Sequence, residues 1–267
     1  MDTTNRHMAQ TIETGPANNN AAEPNKEEAH ENVIRAQDFA HLHLHSAYSL
    51  LDGALRIEDI PRLARKMGHK HVAITDHGNM FGAVAFYKAC MAEGIHPIIG
   101  CEVYVAPGSR FDKKRIDGEA YHHLILLCEN EVGYRNLSKL VSLGYTEGFY
   151  TRPRIDMELL TQYHTGLIAL SACLAGVVPT CVRKGDFDGA RAHAKQMRDV
   201  MGAQNYYLEL QNHGMSEEED VNRFLLQLSD ELKIPMVATN DVHYATKEDA
   251  RAQRVLMCIQ TNTTIQD

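Results

Sequence analysis

The sequence predicts an α/β protein whose parallel sheet closes, or nearly closes, into a barrel of seven strand–helix units. Three observations lead there. Short aliphatic and β-branched runs alternate with helical patterns from about residue 38 onward. Chemically capable side chains stand at the end of almost every such run: His43 and His45, Asp76 and His77, Cys173, Gln211 and His213, Asp241 and His243. Barrels of this class build their sites at those strand ends, whereas an open doubly wound sheet shares the alternation without the clustering. Finally, the chain has 267 residues, of which 44% are hydrophobic and 23% charged, enough for one large core with no separable half.

In chain order, residues 1–37 lack apolar periodicity and read as a disordered N-terminal tail, with at most a short helix near Glu27–Ala36. Residues 38–267 form one domain. Its strands are FAHLHLH, HVAITD, PIIGCEVYVA, HLILLCE, GLIALSA, YYLELQ and PMVATND. Between them, IEDIPRLARKMG and GAVAFYKACMAEG are helices that stop at glycine, a residue suited to the left-handed C-terminal cap. NEVGYRNLSKLVSLGY, DFDGARAHAKQMRDVMG, SEEEDVNRFLLQLSDELK and KEDARAQRVLMCIQ supply the remaining helices.

A net charge of −8 argues against a dedicated duplex-binding module, unless bound cations reverse it locally. The six cysteines form no CxxC pair and several lie inside apolar runs, as reduced core thiols do. No signal-peptide core and no apolar run near the ~20 residues of a membrane span occur, so a cytoplasmic, membrane-free protein is expected.

The chemistry concentrates in metal-type side chains. In FAHLHLHSAYSLLDGA, histidines 41, 43 and 45 fall on one face of a strand by period-2 spacing, and Asp52 follows. Imidazoles in such a row are costly to bury without partners, so the face is wet or holds a metal. ITDHGN adds Asp76 and His77, GCE adds Glu102, YHHL adds His122 and His123, SAC adds Cys173, and TNDVHY adds Asp241 and His243. Imidazole, carboxylate and one thiolate suit zinc, manganese or iron better than calcium, and this many ligands imply two or three ions. Each element alone has a bland explanation in an edge strand, a turn or a core cysteine; six of them at corresponding strand ends do not. Spacing leaves open whether His41 joins the set, and His122 and His123 stand at the start of their run, the wrong end for an all-parallel barrel. A phosphoester substrate would also need cations nearby, and FYTRPRID offers Arg152 and Arg154 while ELQNHG offers His213.

Together FAHLHLHSAYSLLDGA, AITDHGNMFGAVAFYKAC, GIHPIIGCEVYVAPGSRFD and PMVATNDVHY resemble the polymerase and histidinol phosphatase (PHP) domain, in particular the branch carried by bacterial DNA polymerase III alpha subunits. The resemblance runs from Asp38 to Asp267. It implies a distorted, TIM-barrel-like (β/α)7 barrel holding up to three metal ions, and the ligand types expect these to be divalent transition metals, zinc foremost. It implies as ligands His43, His45, Asp52, His77, Glu102, His123, Cys173, Asp241 and His243. It sets His41 outside and chooses His123 over His122.

The function expected is a metal-dependent phosphodiesterase, a 3′→5′ exonuclease proofreading primer ends within a replicative polymerase. Asp52 and Asp241 would be catalytic, and Asp76 would orient a ligand from behind. Partners would be the single-stranded 3′ end of a primer, the polymerase core and other replisome subunits. Two other functions fit the same residues: a small-molecule phosphatase of the histidinol-phosphatase type, or a non-catalytic docking module stabilised by its metals.

Overall fold

A computed structural model describes residues 35–266. Most of the expected tail, residues 1–34, lies outside the described residues. The elements in order are β1 (Ala40–His41), α1 (Asp59–Lys66), β2 (His71–Ile74), α2 (Ala83–Glu93), β3 (His96–Val105), β4 (His122–Cys128), α3 (Glu131–Thr146), β5 (Arg154–Ile155), α4 (Met157–Tyr163), β6 (Leu167–Leu170), α5 (Val177–Arg183), α6 (Phe187–Met201), β7 (Tyr206–Leu210), α7 (Ser216–Leu232), β8 (Met236–Ala238) and α8 (Ala250–Thr261). Six of the seven expected strands are present, and the first, FAHLHLH, survives only as the two-residue β1; β5, α4 and α5 are additional.

Local chemistry sets the helix ends. Asn130, Asp156 and Asp186 cap α3, α4 and α6 by accepting the amides of Gly133, Leu159 and Gly189. Gly94 ends α2 at φ +69°, a left-handed cap that glycine adopts without strain.

The sheet path is β1-β2-β3-β4-β6-β7-β8, with β5 beside β3. Its ends meet at one rim: the His45 amide donates to the Val242 carbonyl at 2.8 Å and the Val242 amide to that of His43 at 3.1 Å. Leu42, Ala73, Ile98, Ile125, Leu127, Leu170, Ala172 and Tyr207 pack together inside the rolled sheet. A second layer lies outside it, with Leu44, Ile74, Phe86 and Cys90 under α1 and α2, and Leu126, Leu140, Ala169 and Leu208 under the later helices.

The wall is a distorted (β/α)7 barrel with two departures from the sequence expectation. First, β4 runs antiparallel to both β3 and β6, so the sheet is not wholly parallel. This reversal brings the start of β4 to the rim where the parallel strands end, and there His123 is usable.

Second, FAHLHLH is not one regular strand. Pairing stops at His41 and the chain bends at His43. Leu42 therefore joins the interior cluster with Ala40, while Leu44 joins the outer one. His43 and His45 turn to the rim. His41 is separated from them and rests against Phe39 and His69, with ring centroids at 4.9 and 5.3 Å.

Candidate metal centre

Each expected ligand reaches the rim by a local device. Asp52 sits in a turn closed by the Asp52 and Gly53 amides donating to the Ser49 carbonyl. A Cβ at Gly53 would stand 2.0 Å from the Ser46 carbonyl oxygen, so the turn accepts only glycine. His77 follows β2, and Gly78 (φ +61°) swings the chain over so that its amide meets the Glu102 carbonyl at 2.8 Å. Glu102 itself lies within β3, which continues past the rim. Asp241 holds φ +45°, a backbone that aspartate and asparagine tolerate better than most residues.

Within this ring, all nine residues come together. The Nε2 atoms of His43 and His45 are 3.1 Å apart, and Asp241 Oδ1 is 3.1 Å from each. Glu102 lies across from them, with Oε1 3.4 Å from His43 Nε2 and Oε2 3.5 Å from His45 Nε2. On its other side Glu102 Oε2 is 2.5 Å from His77 Nδ1 and Oε1 is 2.8 Å from His123 Nδ1. The Cys173 sulfur stands 3.8 Å from Glu102 Oε1 and 3.7 Å from His123 Nδ1. Asp52 Oδ2 faces His77 Nε2 at 3.0 Å and His243 Nε2 at 3.4 Å.

Three groupings have ligand atoms mutually close enough for one ion: His43, His45 and Asp241; His77, Glu102 and His123; His45, His77 and His243. They overlap at His45 and His77, and Glu102, a carboxylate able to bridge two ions, touches members of all three.

The electrostatics ask for cations. Burial would neutralise Glu102, yet His123, His77 and His43 hold its carboxyl well below the usual range. Burial likewise opposes the charges of Asp52 and Asp241, and neighbouring imidazoles keep both carboxyls depressed. Burial disfavours a charge on His77 too, but Glu102 and Asp52 outweigh it and push its pKa up to about 10. Burial, then His77, drive His45 down to about 3. In the metal-free chain, imidazolium supplies the positive charge that three carboxylates demand.

The residues fit a metal group. His77 Nδ1, Glu102 Oε2 and Asp241 Oδ1 are buried ligand atoms that meet one another or neighbouring imidazoles at ion-pair distance without forming an aligned hydrogen bond, and all three face the centre. The floor is sealed, with His43 and His45 at 0% exposure and Glu102 at 1%. The rim residues Asp52, His77, His123, Asp241 and His243 are 15–19% exposed. A sealed floor under an open rim resembles catalytic rather than purely structural sites, which close around their ion.

Behind the ligands stand residues of two kinds. Asp76 matches its expected place: it accepts the Ser46 amide and the Ser46 and Ser49 hydroxyls, and Ser49 Oγ meets His45 Nδ1 at 2.8 Å. Glu209, Thr239 and Gln253 escaped sequence reading, and Gln211 was placed only as a strand-end polar residue. Glu209 Oε1 lies 2.7 Å from His43 Nδ1 and also accepts Gln211 Nε2 and the Thr239 hydroxyl. Gln253, on α8, donates to Asp52 Oδ1 at 3.2 Å. The available signal was a glutamate and a glutamine alternating with leucine in YYLELQ, where a two-sided apolar strand would have neither.

The expected cationic residues divide. Arg152 is at the rim, its guanidinium 5.9 Å from the Tyr104 ring centre, and that ring neighbours His77 and His123. Arg154 does not reach the centre. It is fully buried, and its guanidinium is engaged by the carbonyls of Gly148, Ala120, Arg110 and Asp112 at 3.0–3.1 Å, so it pins the β3–β4 loop. His213 is held by both oxygens of Glu218 and by the Asn240 carbonyl, one residue from Asp241. Beside Tyr121 and Leu174 opens a cavity of about 650 Å³; its Arg115, Arg183 and Lys184 are offset by Glu119, Glu217 and Asp220, so it is no cationic pocket.

Comparison with known proteins agrees with this geometry. Residues 41–213 match the PHP domain model. DNA polymerase III subunit alpha of Treponema pallidum is 53% identical over 84% of this chain, and that of Borreliella burgdorferi 50% over 84%; each match covers 19% of the relative. The chain thus spans about a fifth of the length of these curated relatives. A two-domain protein of Bacteroides vulgatus containing a predicted PHP-like metal-dependent phosphoesterase overlays at a TM-score of 0.48, with 14% identity, over 79% of this chain and 53% of that one. By its matched residues and the motifs at its rim, this chain belongs to the PHP domain family.

Proposed function

We propose that the chain is the metal-dependent phosphoesterase domain of a replicative DNA polymerase alpha subunit, acting as a 3′→5′ exonuclease on primer ends. The observation that carries it is the open-rimmed convergence of nine ligand-type side chains, with three buried ligand atoms left without an aligned hydrogen bond. The likeness to polymerase III alpha subunits supports DNA as substrate, the polymerase core and other replisome subunits as partners, and the cytoplasm as location. Among the described residues no helix is long and apolar enough to cross a membrane.

His43, His45 and Asp241 would hold one ion, and His77, Glu102 and His123, with Cys173 beside them, a second. Asp52 and His243 would hold a third, since a neutral imidazole such as His45 or His77 gives its one lone pair to a single ion. Imidazole, carboxylate and thiolate together favour zinc, then manganese or iron. Such ions, when bound, supply Lewis acidity and make water a competent nucleophile near neutral pH. The chain's own contribution is to hold and orient. Glu102 ties the two halves of the cluster. Asp52 and Asp241, ionised at the open rim, can accept hydrogen bonds from an attacking water. Arg152 is placed to meet a non-bridging phosphate oxygen, with His213 farther round the rim.

The test is hydrolysis of a primer–template bearing a 3′ mismatch, with added Zn²⁺ or Mn²⁺, against a matched primer and histidinol phosphate. Stepwise shortening from the 3′ end that stops on chelation supports the proposal. Turnover of the monoester alone favours a small phosphatase, and a metal-loaded chain inert on all three is a docking module.

A further inference from the structure

Among the described residues, Glu209 is the buried carboxylate that stands closest behind a ligand without facing the centre. It is 2% exposed and comes from near the end of β7, opposite Asp241 across His43. Its Oε1 is 2.7 Å from His43 Nδ1, while His43 Nε2 is the atom 3.1 Å from Asp241. The two ring nitrogens therefore have separate duties. An ionised carboxylate can only accept, so Nδ1 carries a proton and, with an ion bound, Nε2 would turn its lone pair toward the cluster. Gln211 Nε2 and the Thr239 hydroxyl, just past β7 and β8, converge on the same Oε1, and the Glu209 amide donates to Ser171 Oγ at 2.8 Å, fixing the backbone beneath it.

His45 is oriented differently. Its Nδ1 meets the Ser49 hydroxyl, which donates onward to Asp76 Oδ1. Two adjacent ligands thus have unequal support: a direct carboxylate for His43 and a neutral hydroxyl for His45. A direct carboxylate makes the imidazole the stronger donor, and loss of such support typically lowers metal affinity 10–100-fold.

We propose that Glu209 is a positioning residue that, through the Nδ1–H of His43, fixes the tautomer and donor strength of Nε2 and so sets the affinity of the ion held by His43, His45 and Asp241. This rests on the reading of the cluster as a metal centre.

The test is titration of the chelator-stripped chain with Zn²⁺ against a chromophoric competitor, for wild type, Glu209→Gln, Glu209→Leu, His43→Gln and the His43→Gln/Glu209→Gln double variant, with melting of each metal-free chain recorded alongside. One class of site should weaken about tenfold in Glu209→Gln, which keeps an acceptor but loses the charge, and up to about 100-fold in Glu209→Leu, with the other sites unchanged. In the His43→Gln background, Glu209→Gln should have no further effect on Zn²⁺ binding. A purely structural role predicts lower melting with wild-type Zn²⁺ affinity, or equal effects with and without His43, and either result overturns the proposal. If a Leu variant fails to fold, the Gln pair still decides. Wild-type chain that binds no Zn²⁺ overturns the metal reading itself; wild-type binding with an unaltered Glu209→Gln overturns only this inference.

Discussion

Asp241→Asn isolates charge from shape at the rim. Asparagine is nearly isosteric with aspartate and tolerates the φ of +45° found there, so the backbone should keep its course. What disappears is the anionic Oδ1 standing 3.1 Å from both His43 Nε2 and His45 Nε2. If hydrolysis depends on a cation held at that corner, its loss or displacement should remove about 4 kcal/mol of transition-state stabilisation, roughly a thousandfold in rate. Stability should respond only through the metal. A ligand at 100 times its Kd stabilises by about 2.7 kcal/mol, worth roughly 5–10 °C in a domain of this size. That increment should be present in the wild type and missing in the variant, while the two metal-free chains melt within a few degrees. The control is Asp186→Asn, at the N-cap of α6, where the side chain accepts the Gly189 amide at 2.9 Å. Asparagine caps almost as well, so that change should cost under about 1 kcal/mol and leave turnover alone. Exonuclease rate, Zn²⁺-induced melting shift and metal-free melting should be measured for both. Near-normal hydrolysis with a retained melting shift in Asp241→Asn would refute the reasoning.

Arg154→Met should lower stability by about 3 kcal/mol or more in thermal melting, because buried carbonyls lose charged donors. Arg152→Gln should leave melting unchanged and raise KM for a DNA primer about tenfold, the size of one charge-assisted hydrogen bond, in steady-state kinetics. Gly53→Ala sets a Cβ against the Ser46 carbonyl and should cost about 1–3 kcal/mol in denaturant titration, with weaker Zn²⁺ binding through the displaced Asp52. His193 is brought down to about 4 by burial and then by His122. The folded chain therefore holds fewer protons than the unfolded one below pH ~6.5, and this stability, present above that pH, is lost as pH falls through about 4. His193→Gln should flatten the acid limb of the stability curve by on the order of 2 kcal/mol, measured as the wild-type-minus-variant difference between pH 7 and 4.

What could be read from the sequence was whatever depends on local pattern. Alternating runs placed the strands, Gly94 placed the end of α2, and the short motifs placed nine side chains that converge. Strand direction does not follow from alternation, so β4 was expected parallel and His123 stood at the wrong end until the pairing with β3 and β6 reversed it. Period-2 spacing likewise joined His41 to His43, because it has no knowledge of a bend between them. Arg154 read as a substrate cation because its sequence neighbourhood resembles that of Arg152; only the four surrounding carbonyls distinguish them. Glu209 and Gln253 lie far in sequence from the ligands they touch, and long-range contacts leave no local period.

Elemental analysis of the chain purified without chelator, expressed as ions per chain, tests the metal centre most directly. Two or three transition-metal ions per wild-type chain, reduced in Asp241→Asn, are predicted from nine converging ligands with the Glu102 carboxylate between their groups. Less than one ion per chain, unchanged on adding Zn²⁺ or Mn²⁺, would contradict it.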